Sequence, residues 1–248
     1  MLTAYNLKSI SKLPNIQWLI DDILPTNSLS IMYGKPGTCK TFIALDMSLH
    51  LVNEMKWHSH SIRKNGIVIY FLAEGIQGLK HRINAWHSYH EKEFSPYFFV
   101  TPFTGYTLYD DYKINEILKL SNELKHKHNK NISLIVIDTL ARAASGLDEN
   151  SAKDMGYFIQ RMDYLKNQLS TSIMLIHHSG KDMIAGMRGS TSLLSAADTS
   201  IKIDKFNDKI RFYVEKQKDG ENIVHEFHIE KFEKSLVPIH LFNCIDED

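Results

Sequence analysis

Short apolar runs alternate with amphipathic stretches over the first two-thirds of the chain. The segments 30–33, 66–74, 97–103, 133–140 and 172–178 are apolar or nearly so throughout, the pattern of strands buried on both faces. Helical spacing fills the intervals. Phe42, Ile43, Leu45, Met47, Leu49 and Val52 supply the apolar side of one helix, and Leu79, Ile83 and Trp86 that of a second over 79–89. Ile114, Ile117, Leu118 and Leu124 mark a third over 114–126, and a fourth runs over 155–169, capped by Ser151 with Asp154 three residues on. This order predicts an α/β fold with a mostly parallel central sheet flanked by helices. Beyond residue 198 the pattern changes. Segments 199–204, 210–216, 224–229 and 237–242 read as strands joined by polar turns such as Asn207-Asp208 and Asp219-Gly220, which predicts a C-terminal antiparallel extension of the sheet. The expected organisation is one domain over 1–248, comprising an N-terminal arm (1–27), a core (28–198) and a β-rich extension (199–248).

Composition narrows the class. At 248 residues and 43% hydrophobic content the chain is long enough for one sizeable core. Its 29 basic and 29 acidic residues give zero net charge, which argues against a surface that coats nucleic acid. Nucleic acid held by a few loops, as in the channel of a ring, stays compatible. Cys39 and Cys244 offer neither a disulfide framework nor a metal cluster. The thirteen histidines, among them His50, His58, His60, His81, His87 and His90, show no zinc spacing and read mostly as surface residues. Residues 1–17 lack a signal-peptide core, and no window reaches the run of about 18 apolar residues that a membrane helix needs. A soluble, cytoplasmic protein without a membrane partner is the expectation.

The chemistry concentrates where the first apolar run ends. Gly34-Lys35-Pro36-Gly37-Thr38-Cys39-Lys40-Thr41 joins that strand to the first amphipathic helix. In such a loop successive backbone N–H groups and the positive end of the helix cradle phosphate oxygens. Lys40 is placed to reach the β- and γ-phosphates of ATP, and Thr41 to coordinate Mg²⁺. Cys39 stands where the usual pattern has a second glycine, so its side chain has to point away from the phosphates and the loop gives up some freedom.

Other candidates end other strands. Asp138 follows Leu134-Ile135-Val136-Ile137, at the edge where open α/β sheets bind ligands, and can hold Mg²⁺ opposite Thr41. Thr139 follows it, so a water-activating carboxylate has to come from elsewhere, and Glu74 at the end of the second strand is the candidate base. His177 and His178 end another strand, where alternation sends one towards a nucleotide and the other to the core. The segment 179–191, with Lys181 and Arg188 among glycines, suits either a grip on a phosphodiester backbone or an ordinary solvated loop. Trp18 fits the core or a subunit contact better than a nucleotide base.

These motifs, with Ala73-Glu74-Gly75, Ile137-Asp138-Thr139-Leu140-Ala141-Arg142, Asp148-Glu149-Asn150, His177-His178-Ser179-Gly180-Lys181-Asp182 and Arg188-Gly189-Ser190-Thr191, occur in an order that resembles the RecA-type P-loop ATPases of the RepA hexameric replicative helicase group of plasmids, phages and prophages. The resemblance spans about residues 16–220. It implies a RecA-like core, Mg-ATP hydrolysis between subunits of a hexameric ring, translocation on single-stranded DNA, and a replication initiator or primase as partner. By position it makes Lys40 and Thr41 the phosphate-loop pair, Glu74 the base, Asp138 the Mg²⁺-associated acid and His178 the γ-phosphate sensor. Lys216-Gln217-Lys218 falls where relatives carry a Lys-x-Arg pair that reaches a neighbour's nucleotide, with Lys218 in place of the arginine. A filament-forming recombination ATPase and a regulatory ATPase acting on a protein are the rival readings.

Overall fold

The computed structural model describes residues 4–105, 107–178 and 190–243, with 190–192, 242 and 243 as backbone alone. A short N-terminal helix, α1 (Leu7–Ile10), buries nothing, and β1 (Trp18–Ile20) pairs with β2 (Leu24–Pro25) in a small hairpin inside the segment expected to be an arm. The main α/β run is β3 (Leu29–Gly34), α2 (Lys40–Val52), β4 (Ile67–Leu72), α3 (Ile76–Tyr89), β5 (Phe98–Pro102), α4 (Asp111–His128), β6 (Ile132–Asp138), α5 (Leu140–Ala143), α6 (Ala152–Leu169) and β7 (Ser172–His178). Then come α7 (Ser190–Ala196), β8 (Thr199–Phe206), β9 (Lys209–Gln217), β10 (Val224–Phe232) and β11 (Ser235–Asn243).

Nine strands form one sheet in the order β11-β10-β9-β8-β3-β7-β6-β4-β5. Every residue of β3, β4 and β6 is buried, as expected of strands covered on both faces. Alternation divides their side chains. Met32, Val68, Tyr70, Val136 and Met174 join α2 and α3 in one core, whereas Ile31, Ile69, Ile135, Ile173 and Leu175 join α4 and α6 in the other. Ser151 caps α6 by accepting from the Asp154 N–H, and Asp110 caps α4 through the Lys113 N–H.

The structure differs from the sequence pattern in two places that matter. Residues 199–204 do not begin the antiparallel part: β8 runs parallel to β3, and the direction reverses only between β8 and β9. Helix α2 is buried on nearly all sides, because β11 packs back against α2 and α3. That closure takes Asp46, Ser48 and His50 out of water with the apolar positions.

Gly34 is where the sheet meets the phosphate loop. A Cβ built there would lie 2.1 Å from the Ile203 carbonyl oxygen of β8, so only glycine permits this approach. Gly37, at φ 82°, has open space around it. Gly34→Ala should therefore cost about 1–3 kcal/mol by overpacking. Gly37→Ala should cost about 1 kcal/mol for its left-handed backbone. Urea denaturation of both variants checks this, and equal midpoints would show that β8 gives way freely.

Candidate active site

The loop between β3 and α2 is shaped by two left-handed residues, Gly37 and, at the N-cap, Cys39 with φ 65°. A thiol therefore occupies a backbone conformation that glycine adopts without strain. It escapes a clash by turning inward, against the apolar cluster that holds α2. Burial pushes its pKa up, opposed by Lys205 and Lys40.

Lys40 opens α2 and is only 4% exposed. Its Nζ donates to the carbonyl oxygens of Gly34 at 2.9 Å and Lys35 at 2.8 Å. Burial lowers its pKa to about 8, with the Asp138 carboxylate opposing the shift. The ammonium is thus desolvated and held by loop carbonyls, which a phosphate can replace with a stronger, charge-assisted partner.

Thr41 and Asp138, far apart in sequence, meet: the threonine hydroxyl donates to Asp138 Oδ2 at 2.8 Å. Tyr70 of β4 donates to the same oxygen at 2.9 Å. Burial raises the Asp138 pKa, and these two hydrogen bonds act against the rise. Tyr70 is absent from the sequence-based candidates because a tyrosine inside an apolar strand looks like core. Its signal is register: Leu72 pairs with Asp138, which puts Tyr70 one diagonal step away on the same face.

A cavity of about 420 Å³ opens above this pair, and Lys40, Thr41, Glu74, Arg82, Asp138 and His178 all line it. Glu74 is exposed, and its Oε1 accepts from Arg142 Nε at 2.8 Å. Such an exposed pair is worth at most about 1 kcal/mol, so Glu74 is positioned loosely. Arg82, which no motif singles out, lies on α3 with its guanidinium 5.1 Å from the Phe42 ring centroid. His178 faces the cavity and His177 faces the core, as alternation requires. Burial, then His178, lowers the His177 pKa to about 4, and its Nδ1 is buried without a hydrogen-bond partner.

The remaining candidates stand apart. Lys35 and Pro36 are exposed on the loop. Lys216 and Lys218 lie at the opposite edge of the sheet, because β9 pairs Lys216 with Ser200 at the entry to β8. Lys216 Nζ donates to the carbonyls of Leu194 and Ser195, and Lys218 pairs with Asp198 at 2.7 Å. Lys181, Arg188 and Cys244 fall outside the described residues. The sequence reading of the histidines needs correcting: His50, His58, His60, His90, His225 and His240 converge in the interior around Asp46 and Trp57. No motif spacing announces this, since five separate segments supply the rings.

The AAA_25 family model, an AAA domain, matches residues 4–183. The chain belongs to this AAA-domain family. Its fold is similar to many solved structures, among them the ATPase domain of a helicase, with a TM-score of 0.61 and 12% identity over 86% of each chain. That likeness establishes a RecA-like fold of the helicase ATPase type. No curated protein matches the sequence. Among the described residues no helix is long and apolar enough to cross a membrane.

Cys39→Gly should remove a left-handed penalty of about 1 kcal/mol while giving up some side-chain packing. The expected outcome is a melting temperature within a few degrees of the parent and nucleotide affinity unchanged or improved, read by thermal melting and fluorescent-ATP titration. Loss of nucleotide binding would assign the thiol itself a role in the loop.

Proposed function

We propose that this protein is a Mg-ATP-hydrolysing RecA-like motor that assembles as a ring, hexameric in its relatives, and translocates on single-stranded DNA. The observation that carries the ATPase reading is the convergence of Lys40, Thr41, Asp138 and Glu74 on one cavity at the C-terminal edge of the parallel strands. Adjacent hydroxyl and carboxylate oxygens at its floor suit Mg²⁺, which prefers hard oxygen ligands. Thr41 would hold the ion directly and Asp138 through its water shell; when bound, the ion neutralises charge on the β- and γ-phosphates.

In this reading Lys40 exchanges the Gly34 and Lys35 carbonyls for phosphate oxygens, and the N–H groups of Gly37 to Thr41 complete the cradle. Glu74 accepts a proton from the water that attacks the γ-phosphorus while the bond to the β-bridging oxygen breaks. Arg82 adds positive charge near the leaving phosphates, and His178 contacts the γ-phosphate. Lys181 and Arg188 hold the DNA backbone. A replication initiator or primase would load or accompany the ring.

Glu74→Gln should bind ATP like the parent and lose about 10²–10⁴-fold in turnover, the usual cost of removing a general base. Lys40→Ala should lose binding as well. Parent-like turnover in Glu74→Gln would move the base elsewhere. In the parent, single-stranded DNA should stimulate hydrolysis; no stimulation favours an ATPase that acts on a protein.

The position of Lys216 and Lys218 at the far edge of the sheet supports action on a neighbour's nucleotide, since neither lines the cavity of its own chain. Lys218→Ala should then impair turnover while ATP binding persists. Mixing it with Lys40→Ala should restore part of the turnover, because an intact phosphate loop meets an intact Lys218 at some interfaces. Absence of recovery in assemblies containing both variants would refute the shared site.

A further inference from the structure

On the face of α2 turned away from the cavity floor, Asp46 is fully buried. Each carboxylate oxygen accepts one indole N–H, Oδ1 from Trp86 and Oδ2 from Trp57, both at 2.8 Å. Imidazoles from three segments crowd the same group. His50, one helical turn on, has Nδ1 3.2 Å from Oδ1; His58 has Nε2 3.4 Å from Oδ2; and His90, at the end of α3, has Nε2 4.0 Å from Oδ1. The His50 and His90 rings lie edge to face at 4.9 Å.

A self-sufficient hydrogen-bonded hub would satisfy each of these nitrogens. This one does not. His58 Nε2 and His90 Nε2 are both buried and have no hydrogen-bond partner, although both lie beside the carboxylate. Two unmet lone-pair nitrogens beside a buried anion form a donor set that a cation would complete.

We propose that Asp46, His50 and His90 bind a zinc-class transition-metal ion, with His58 as fourth ligand. Ligand atoms of the first three lie within 4.8 Å of one another. Bonds of about 2.0–2.1 Å in a tetrahedron need ligand atoms about 3.3 Å apart, so side-chain shifts of about 1 Å close the site. Neutral imidazole and carboxylate are the donors zinc accepts, and Asp46 and His50 at i, i+4 share one helical face. The Trp57 and Trp86 N–H groups fix the carboxylate from outside, as supporting hydrogen bonds do in metal sites. His58 stacks on His240 at 4.7 Å; His240 Nε2 meets His225 Nδ1 at 2.9 Å, and His225 Nε2 meets His60 Nε2 at 2.9 Å. This relay would couple the ion to β10 and β11. The proposal does not depend on the assignment of the ATPase cavity.

The test uses the full untagged chain, stripped with chelator and titrated with Zn²⁺ by calorimetry in excess Mg²⁺, so that the Thr41–Asp138 pair does not contribute. One zinc per chain is expected, with a rise in melting temperature. His90→Ala and His58→Gln, at the rim and so tolerant of change, should each weaken binding by at least about 10–100-fold, the loss typical even of supporting residues. Co²⁺ should give the intense visible bands of a tetrahedral site, and X-ray absorption should report nitrogen and oxygen ligands. Absence of stoichiometric binding, parent-like affinity in His90→Ala, or sulfur ligation through Cys39 would each overturn the assignment.

Discussion

A carboxylate taken out of water at the end of a buried strand has to be satisfied, and in this protein the partners that satisfy Asp138 organise the whole cavity. The Thr41 hydroxyl ties β6 to the start of α2, and the Tyr70 hydroxyl ties it to β4. Burial works against the charge while both hydrogen bonds work for it. The result is an oxygen-rich floor held by three elements that meet only because the sheet order puts β3, β7, β6 and β4 side by side. Lys40 sits beside this floor on the same helix as Thr41, so one helix position fixes both the cation and the hydroxyl.

The sheet gives the molecule two unlike edges. At the C-terminal edge of the parallel strands lie the phosphate loop, Asp138, Glu74 and His178; at the other lie Lys216 and Lys218, engaged with the end of α7 and with Asp198. Strand β8 makes this polarity possible. Parallel to β3 and antiparallel to β9, it returns the chain to the edge from which β3 departs.

Sequence alone reveals the elements whose causes are local. Continuous apolar runs mark the buried strands, the Ser151 cap is legible from its own spacing, and the phosphate loop is legible despite Cys39. What stays hidden arises from convergence. Tyr70 looks like any strand tyrosine until register sets it beside Asp138. Arg82 becomes part of the cavity only because α3 begins at Ile76, three residues before its apolar spacing suggests. The histidines mislead for the same reason: their spacing along the chain carries no signal, and burial of α2 by a hairpin from the other end of the molecule brings them together. The direction of β8 is illegible because strand spacing does not encode which neighbour a strand chooses.

Helix α2 is gripped at its waist. Asp46 lies six residues past Lys40, about 9 Å along the axis at 1.5 Å per residue. There two indoles and His50 clamp it in a dry interior. A rod anchored so close to its tip can neither slide nor roll without breaking that clamp. The phosphate loop is therefore the fixed jaw of a vice. Closure around a triphosphate falls to the opposing jaw, where Glu74 and Arg142 are exposed and loosely paired, and that side sets how fast the vice shuts.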